Sequence, residues 1–402
     1  MKYQLLAFGP AATDCVPELQ AEFQRQITDI GLDPSVDCEL IEIATPADVM
    51  KVEWGGAPVG IWFGDIAPFA QHAVDLVQDL LKHGDPLFPV CDTLVDYSKK
   101  VPPALHGING QPWREPQDKT TVVANALGGF RLTPRERTAF ISYRRDESRA
   151  VAVQVFEELE RRKYAGFLDT ASVAAGVSFQ EVLMGRLSGV DLVVFLDTPS
   201  AISSQWVYQE LNQAQTQGMG ILQVLWPGRA QAPGTGFCDP FPLRTEDFVN
   251  KNADDADTLL ADRLHELVQE TERTRIRSIR HRRERVIGEL MSQASHAGMT
   301  ASVHPVGTKD VRAASIELIR SGQIVGRALP VLGLPNSMLV HSRSDELQQA
   351  GITAGTVRLV YDELGIHPDH AAHLDWLNGR LDPNFAVQTQ PLATVADWMG
   401  SL

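Results

Sequence analysis

The stretch DLVVFLDTPSAISSQWVYQEL, Asp191–Leu211, decides the reading of this chain. Its first seven residues, DLVVFLD, are nearly all apolar, as strands buried on both faces of a parallel sheet tend to be. TPSAIS follows as a polar loop, and Ser204 stands where a serine caps the helix QWVYQELNQAQTQG. Trp206 and Glu210 are four apart, so on that helix they share one face. An aromatic plate beside a carboxylate, at the mouth of a parallel sheet, suits a sugar on which positive charge develops.

Working outward, TAFISY (from Thr138) reads as a strand, SRAVAVQVFEELERRK (Ser148 to Lys163) as an amphipathic helix, and AGFLD (Ala165 to Asp169) as a short strand. The loop TASVAAGVS leads to a helix at Phe179 to Val190. After the capped helix, GILQVLWP is expected to be the last strand and DPFPLRTEDF a loop. Strands alternating with helices mean a parallel α/β sheet.

Residues 1–112 repeat that alternation. YQLLAFG, CELIEIA, PVGIWFG and PLFPVCD read as strands; Pro17 to Ile30 and Phe69 to Gly84 read as helices, the latter ending on a capping glycine. The unit is expected to be flavodoxin-like or receiver-like, without a phosphate-binding glycine fingerprint. Residues 113–136, rich in Gly, Pro and polar side chains, read as a linker with at most one short element. Residues 273–298 read as an arginine-rich connector helix. Residues 299–402 read as a small mixed α/β domain for sensing or assembly, with ASIELIRSG and ITAGTVRLVYDELG helical, QIVGRALPVLGLP extended, and a helix opened by Pro368.

The bulk numbers bound the function. At 402 residues the chain is long enough for two to four domains. Four scattered cysteines (Cys15, Cys38, Cys91, Cys238) without CxxC argue against a disulfide framework or zinc ribbon and for a reducing cytoplasm. A net charge of -15 argues against nucleic-acid binding by the chain as a whole. No apolar run approaches the roughly 18–20 residues of a membrane span, and the N-terminal run is short for a signal peptide, so no membrane partner is expected.

From Thr138 to about Glu272 the chain resembles a bacterial Toll/interleukin receptor (TIR) domain. FISYRRDES matches the family's first box, GFLDTASVAAGVSF its second strand and BB loop, and DLVVFLDTPSAISSQWVYQEL its most diagnostic stretch, S-x-W-x-x-x-E-L. Three motifs in order, over about a third of the chain, make the match specific. Val207 stands where the family often has cysteine. The resemblance implies a central flavodoxin-like TIR domain over 137–272, flanked by the two smaller domains.

Enzymatic members of the family cleave NAD between ribose and nicotinamide. NAD is then a substrate, with no cofactor and no metal expected. Nicotinamide is already cationic and leaves without an acid; the difficulty is the charge left on the ribose, which a neighbouring carboxylate stabilises. By the resemblance Glu210 matches the catalytic glutamate, and Trp206 forms an apolar wall beside Ser204. Phe140, Ser142, Tyr143 and Arg144 end the first strand, where a doubly wound sheet places its ligand crevice. Arg144 or Arg145 is expected at the pyrophosphate. Asp169 and the loop to Ser178 form a lip that, in related enzymes, completes a site shared with a neighbouring subunit. The resemblance thus implies an anti-phage immune effector activated by self-association through the TIR domain, with a nucleotide signal or partner protein at the flanking domains; the alternative is a non-catalytic TIR scaffold. Each residue also has a plain structural reading: Trp206 as core, Glu210 as a solvated helix carboxylate, Arg144 and Arg145 as surface charges, Asp169 as a turn residue.

Two further clusters stand out. His367, His370 and His373 recur every third residue, but without a supporting carboxylate or cysteine they read as exposed histidines at a helix end rather than a metal site. RTRIRSIRHRRER, Arg273 to Arg285, holds seven arginines in thirteen residues and reads as a solvated connector or assembly contact, with nucleic acid as the alternative. Walker, G-x-G-x-x-G, G-x-S-x-G and H-E-x-x-H motifs are absent, so nothing supports a kinase, dehydrogenase or hydrolase of those classes.

Overall fold

The computed structural model describes residues 2–108, 110–132, 137–168, 190–201, 218–231, 234–305, 314–333, 335–349, 351–363, 366 and 368–402. The chain divides into two compact units. The first is Met1–Thr133, Arg283–Glu363 and Pro368–Leu402; the second is Pro134–Arg282 with Leu364–His367.

The N-terminal part of the first unit is a five-stranded sheet of β1 (Tyr3–Phe8), β2 (Cys38–Glu42), β3 (Val59–Gly64), β4 (Leu87–Cys91) and β5 (Gln111–Pro112). The order is β2-β1-β3-β4-β5 and every pairing is parallel. β1, β3 and β4 are buried throughout, which is why they read as apolar runs, broken only by Gln4. Helices α1 (Ala12–Asp29) and α2 (Gln71–His83) fall where periodicity puts them, and Gly84 ends α2 in the left-handed region (φ 68°). The 113–136 linker is corrected: it holds helix α3, Pro116–Gly129. Pro116 opens the helix and Asp118 accepts the Glu115 amide at 2.9 Å, while Val122, Val123, Ala126 and Leu127 are buried. Its Pro and Gly mark the two ends of a 14-residue helix, longer than the short element expected.

Gly9 (φ +107°) turns the chain from β1 toward α1 where a Cβ would lie 2.5 Å from the Phe63 carbonyl oxygen. Gly9→Ala is therefore expected to cost about 2 kcal/mol or more through both conformation and clash, read as a lower midpoint in denaturant.

The second unit contains β6 (Thr138–Ser142), α4 (Arg145–Arg161), β7 (Ala165–Leu168), β8 (Leu192–Asp197), β9 (Gly220–Leu225) and β10 (Asp239–Pro242). The order is β10-β9-β8-β6-β7, again wholly parallel. Alternate residues feed two cores: Ile141, Leu192, Val194, Leu222 and Val224 on one face, Phe140, Val193, Phe195 and Ile221 on the other. GILQVLWP is not the last strand. β10 follows within the expected loop, and its prolines Pro240 and Pro242 are tolerated because it lies at the edge.

Helix α5, Ala261–His296, contains the arginine run, and the division between the units falls within it. The solvated reading of that run is corrected. In the second unit, Arg275 and Asp191 are both fully buried and Nε meets Oδ2 at 2.7 Å, while Arg282 reaches Oδ1 at 3.1 Å. Ser278 Oγ lies 3.2 and 3.1 Å from the carbonyls of Asp191 and Gly218, which share its one proton, and accepts the Gly220 amide. Thr274 and Arg277 both reach Asp239 Oδ2, at 2.9 and 2.6 Å. The arginines thus hold α5 against the starts of β8 and β10, and Ser278 holds it against the start of β9. In the first unit, Arg283 pairs with buried Asp85 at 3.0 Å and Arg285 pairs with Asp362.

The C-terminal part of the first unit is a mixed sheet in the order β11-β12-β13-β14-β15: β11 (Thr300–Pro305), β12 (Ala314–Arg320), β13 (Gln323–Val331), β14 (Val357–Tyr361) and β15 (Gln388–Pro391). The first three pair antiparallel and the last three parallel. Helices α6 (Ser337–Gln349), α7 (Pro368–Arg380) and α8 (Val395–Ser401) accompany it. Two helical expectations are corrected. ASIELIR is β12: Ile316 and Leu318 alternate inward, and Ser321 (φ 54°) and Gly322 (φ 78°) make the two-residue turn into β13. ITAGTVRLVY is a short 3₁₀ turn followed by β14, whose Val357, Leu359, Val360 and Tyr361 are buried.

Candidate functional site

In the second unit the strand order reverses between β6 and β8, so the ligand crevice of such a sheet belongs at their carboxyl ends. β6 ends on Ser142, which is 4% exposed, and Tyr143 packs half-buried on the core. Phe140 is 1% exposed among Val193, Phe195 and Ile221; it lies in the core beneath the crevice and offers no surface to a ligand.

Arg144 precedes α4. Its Nη1 donates to the Ser200 carbonyl at 3.2 Å and its Nη2 lies 3.4 Å from Asp146. Glu147 accepts the Ser200 amide at 3.2 Å, so the first turn of α4 grips both polar groups of one residue in the corner after β8. Burial opposes charge on Glu147, but the hydrogen bonds it accepts at the Thr198–Ser200 corner outweigh that and hold its carboxyl below the ordinary range. Ser148, fully buried, breaks the helical geometry (φ −151°, ψ 22°) and donates to the Arg144 carbonyl at 3.0 Å. Arg145 is exposed.

Sequence reasoning missed Asp197. It ends β8 fully buried and accepts Gln223 Nε2 at 2.8 Å and Arg229 Nη2 at 2.9 Å. Burial pushes its carboxyl up, against those two partners. The available signal was an acid closing an otherwise apolar strand, with Gln223 inside the next strand.

Below this edge a loop closes around Asp257, 1% exposed. Its carboxylate accepts the amides of Asn250 (3.0 Å), Asn252 (3.0 Å), Ala253 (3.2 Å) and Thr258 (2.9 Å). The same loop gives the Ala253 carbonyl to Trp226 Nε1 at 2.7 Å, and Trp226 meets Phe248 edge-on. Burial works against the Asp257 charge, yet the amides prevail and its carboxyl lies below the usual range. A carboxylate depressed on folding stabilises the fold above its unfolded pKa, near 4, and that stability is lost as pH falls through the folded value. Asp257→Ala is expected to cost about 2–3 kcal/mol at pH 7 and less in acid, measured by denaturant titration at several pH values.

Asp169, Ser178, Ser204, Trp206 and Glu210 lie outside the described residues, as does His367. The structure brings Ser142, Tyr143 and Arg144 to one sheet edge and assigns Phe140 to the core. Among the described residues no group of three or more His, Cys, Asp or Glu could hold a metal ion. His370 Nε2 lies 3.0 Å from the Pro335 carbonyl, and His373 stacks on Trp376 with ring centres 5.8 Å apart. Among the described residues no helix is long and apolar enough to cross a membrane.

No curated protein matches the chain. A family model described as the TIR domain matches residues 139–262, a span that takes in the parallel sheet, the β6–β8 crevice and the S-x-W-x-x-x-E-L stretch. Residues 139–262 are a TIR domain, lying in the middle of the sequence.

Proposed function

We propose that this TIR domain cleaves NAD at the bond between ribose and nicotinamide, releasing nicotinamide with ADP-ribose or a cyclic product, as an immune effector switched on by self-association. The observation that carries the reading is the motif Ser204–Trp206–Glu210, inside the matched span and directly after the corner that follows β8. The TIR family includes NAD-cleaving enzymes, and TIR domains commonly self-associate.

The chemistry asked of the chain is modest. The C–N bond to nicotinamide breaks with its electron pair leaving on a ring nitrogen that was already cationic, so no proton donor is required. The positive charge left on the ribose needs a carboxylate close by, the role given to Glu210; Trp206 supplies an apolar wall that keeps water's dielectric out. Water, or a ring nitrogen of the adenine, then takes the open carbon. Arg144 at the crevice edge is suited to the diphosphate, because its present partners are a carbonyl at 3.2 Å and a solvent-exposed carboxylate at 3.4 Å, both weak competitors.

The test is NAD incubated with the purified full chain over a range of protein concentrations, wild type against Glu210→Ala. Nicotinamide should appear with wild type, rise more steeply than linearly with concentration, and be absent with the variant. Equal release by both proteins would remove Glu210 from the chemistry. No release from concentrated protein would favour the scaffold reading, in which the domain serves contact alone.

A further inference from the structure

The loop after β9 is tied to the end of β8. The Trp226 amide donates to the Asp197 carbonyl at 3.1 Å, and the Arg229 amide turns back to the Trp226 carbonyl at 2.9 Å. Arg229 Nη2 then binds Asp197 Oδ1 at 2.9 Å. The second Asp197 oxygen is taken by Gln223, whose own Oε1 accepts Gln231 Nε2 at 3.3 Å; that nitrogen also reaches the Cys238 carbonyl at 3.0 Å. A buried carboxylate thus fixes the direction of one guanidinium at the carboxyl edge of the sheet.

Arg229 is anchored on the β9 side of β8 and Arg144 on the β6 side. With neighbouring strands about 4.8 Å apart, the ends of β9 and β6, which the two arginines follow, lie about 10 Å apart on either side of β8. Their side chains are 26% and 36% exposed. Arg144 uses one N–H of each Nη and Arg229 uses Nη2 alone on the partners above, while the Nε–H of each is buried, so the Nη groups are what the two forks can still offer a ligand. Exposed Arg145 makes no ion pair among the described residues and adds a third cation. Asp197 is sealed at zero exposure, and Asp146 is 72% exposed and held only loosely.

We propose that Arg229, together with Arg144, cradles the diphosphate of a dinucleotide lying across the carboxyl end of β8. The inference rests on the NAD reading above and adds Arg229 to that site as a binding and specificity residue. Two planar forks on either side of one strand suit a diphosphate, which offers oxygens to both, better than a single phosphate.

The experiment is calorimetric titration of the full chain with inorganic pyrophosphate, beside NAD and nicotinamide riboside cleavage, for wild type, Arg229→Gln and Arg229→Lys. Pyrophosphate affinity should fall at least tenfold in Arg229→Gln and less in Arg229→Lys. KM for NAD should rise at least tenfold, while cleavage of nicotinamide riboside, which has no diphosphate, should not change. Failure of wild type to bind pyrophosphate, or undiminished binding by Arg229→Gln, overturns the cradle. Should that variant not fold, undiminished binding by Arg229→Lys overturns it instead. Arg229-dependent binding without nicotinamide release would sink the NAD reading and leave the cradle standing; NAD cleavage with KM unmoved by Arg229→Gln would do the reverse.

Discussion

Asp191→Ala is expected to destabilise the second unit by about 3–5 kcal/mol, the largest stability effect of any single change argued from this structure. Asp191 is fully buried and its two oxygens hold Arg275 and Arg282, of which Arg275 is fully buried as well. Removing the carboxylate takes a fully buried counter-charge from a guanidinium in a medium that solvates it poorly, and that loss sets the cost. Asp191→Asn keeps the shape and one acceptor and should fall between wild type and the alanine variant. Hydrogen exchange of the β6 and β8 amides reads the effect within this unit. Protection unchanged to within about 1 kcal/mol would mean that α5 is not held through Asp191.

The second large effect is on chemistry. Glu210→Gln keeps the volume and hydrogen-bonding reach of the side chain but removes its charge. If that charge stabilises a developing oxocarbenium ion, the rate of nicotinamide release should fall by roughly 100- to 1,000-fold, the loss common when one electrostatic stabiliser is taken from a transition state. KM for NAD should change far less, because ground-state NAD carries no such charge on its ribose. A fall in affinity with kcat preserved would make Glu210 a binding residue only.

How much of this was readable from sequence varied with the source of each signal. β1, β3, β4, β6, β8 and β9 were legible because burial on both faces demands mostly apolar runs. β10 was hidden by two prolines in four residues, which only an edge position excuses. β12 was mistaken for helix because Ile316 and Ile319 fit a helical spacing as well as Ile316 and Leu318 fit alternation; the Ser321–Gly322 turn was the deciding clue. The arginine run misled because charge was judged locally. Its partners Asp191, Asp85 and Asp362 come from remote parts of the sequence, and only the fold brings them together. The site shows the same division. Motif spacing led to Ser142, Tyr143 and Arg144 at the sheet edge, but alternation along β6 turns Phe140 into the core, and the Asp197–Gln223–Arg229 network had no local pattern to announce it.

The role of Glu210 is tested most directly by chromatographic measurement of nicotinamide released from NAD by concentrated full-length protein, wild type beside Glu210→Gln at matched folding. Nicotinamide accumulating with wild type and falling at least about 100-fold with the variant is the predicted result. Release that is the same for the two proteins, or absent from wild type at every concentration, would contradict it.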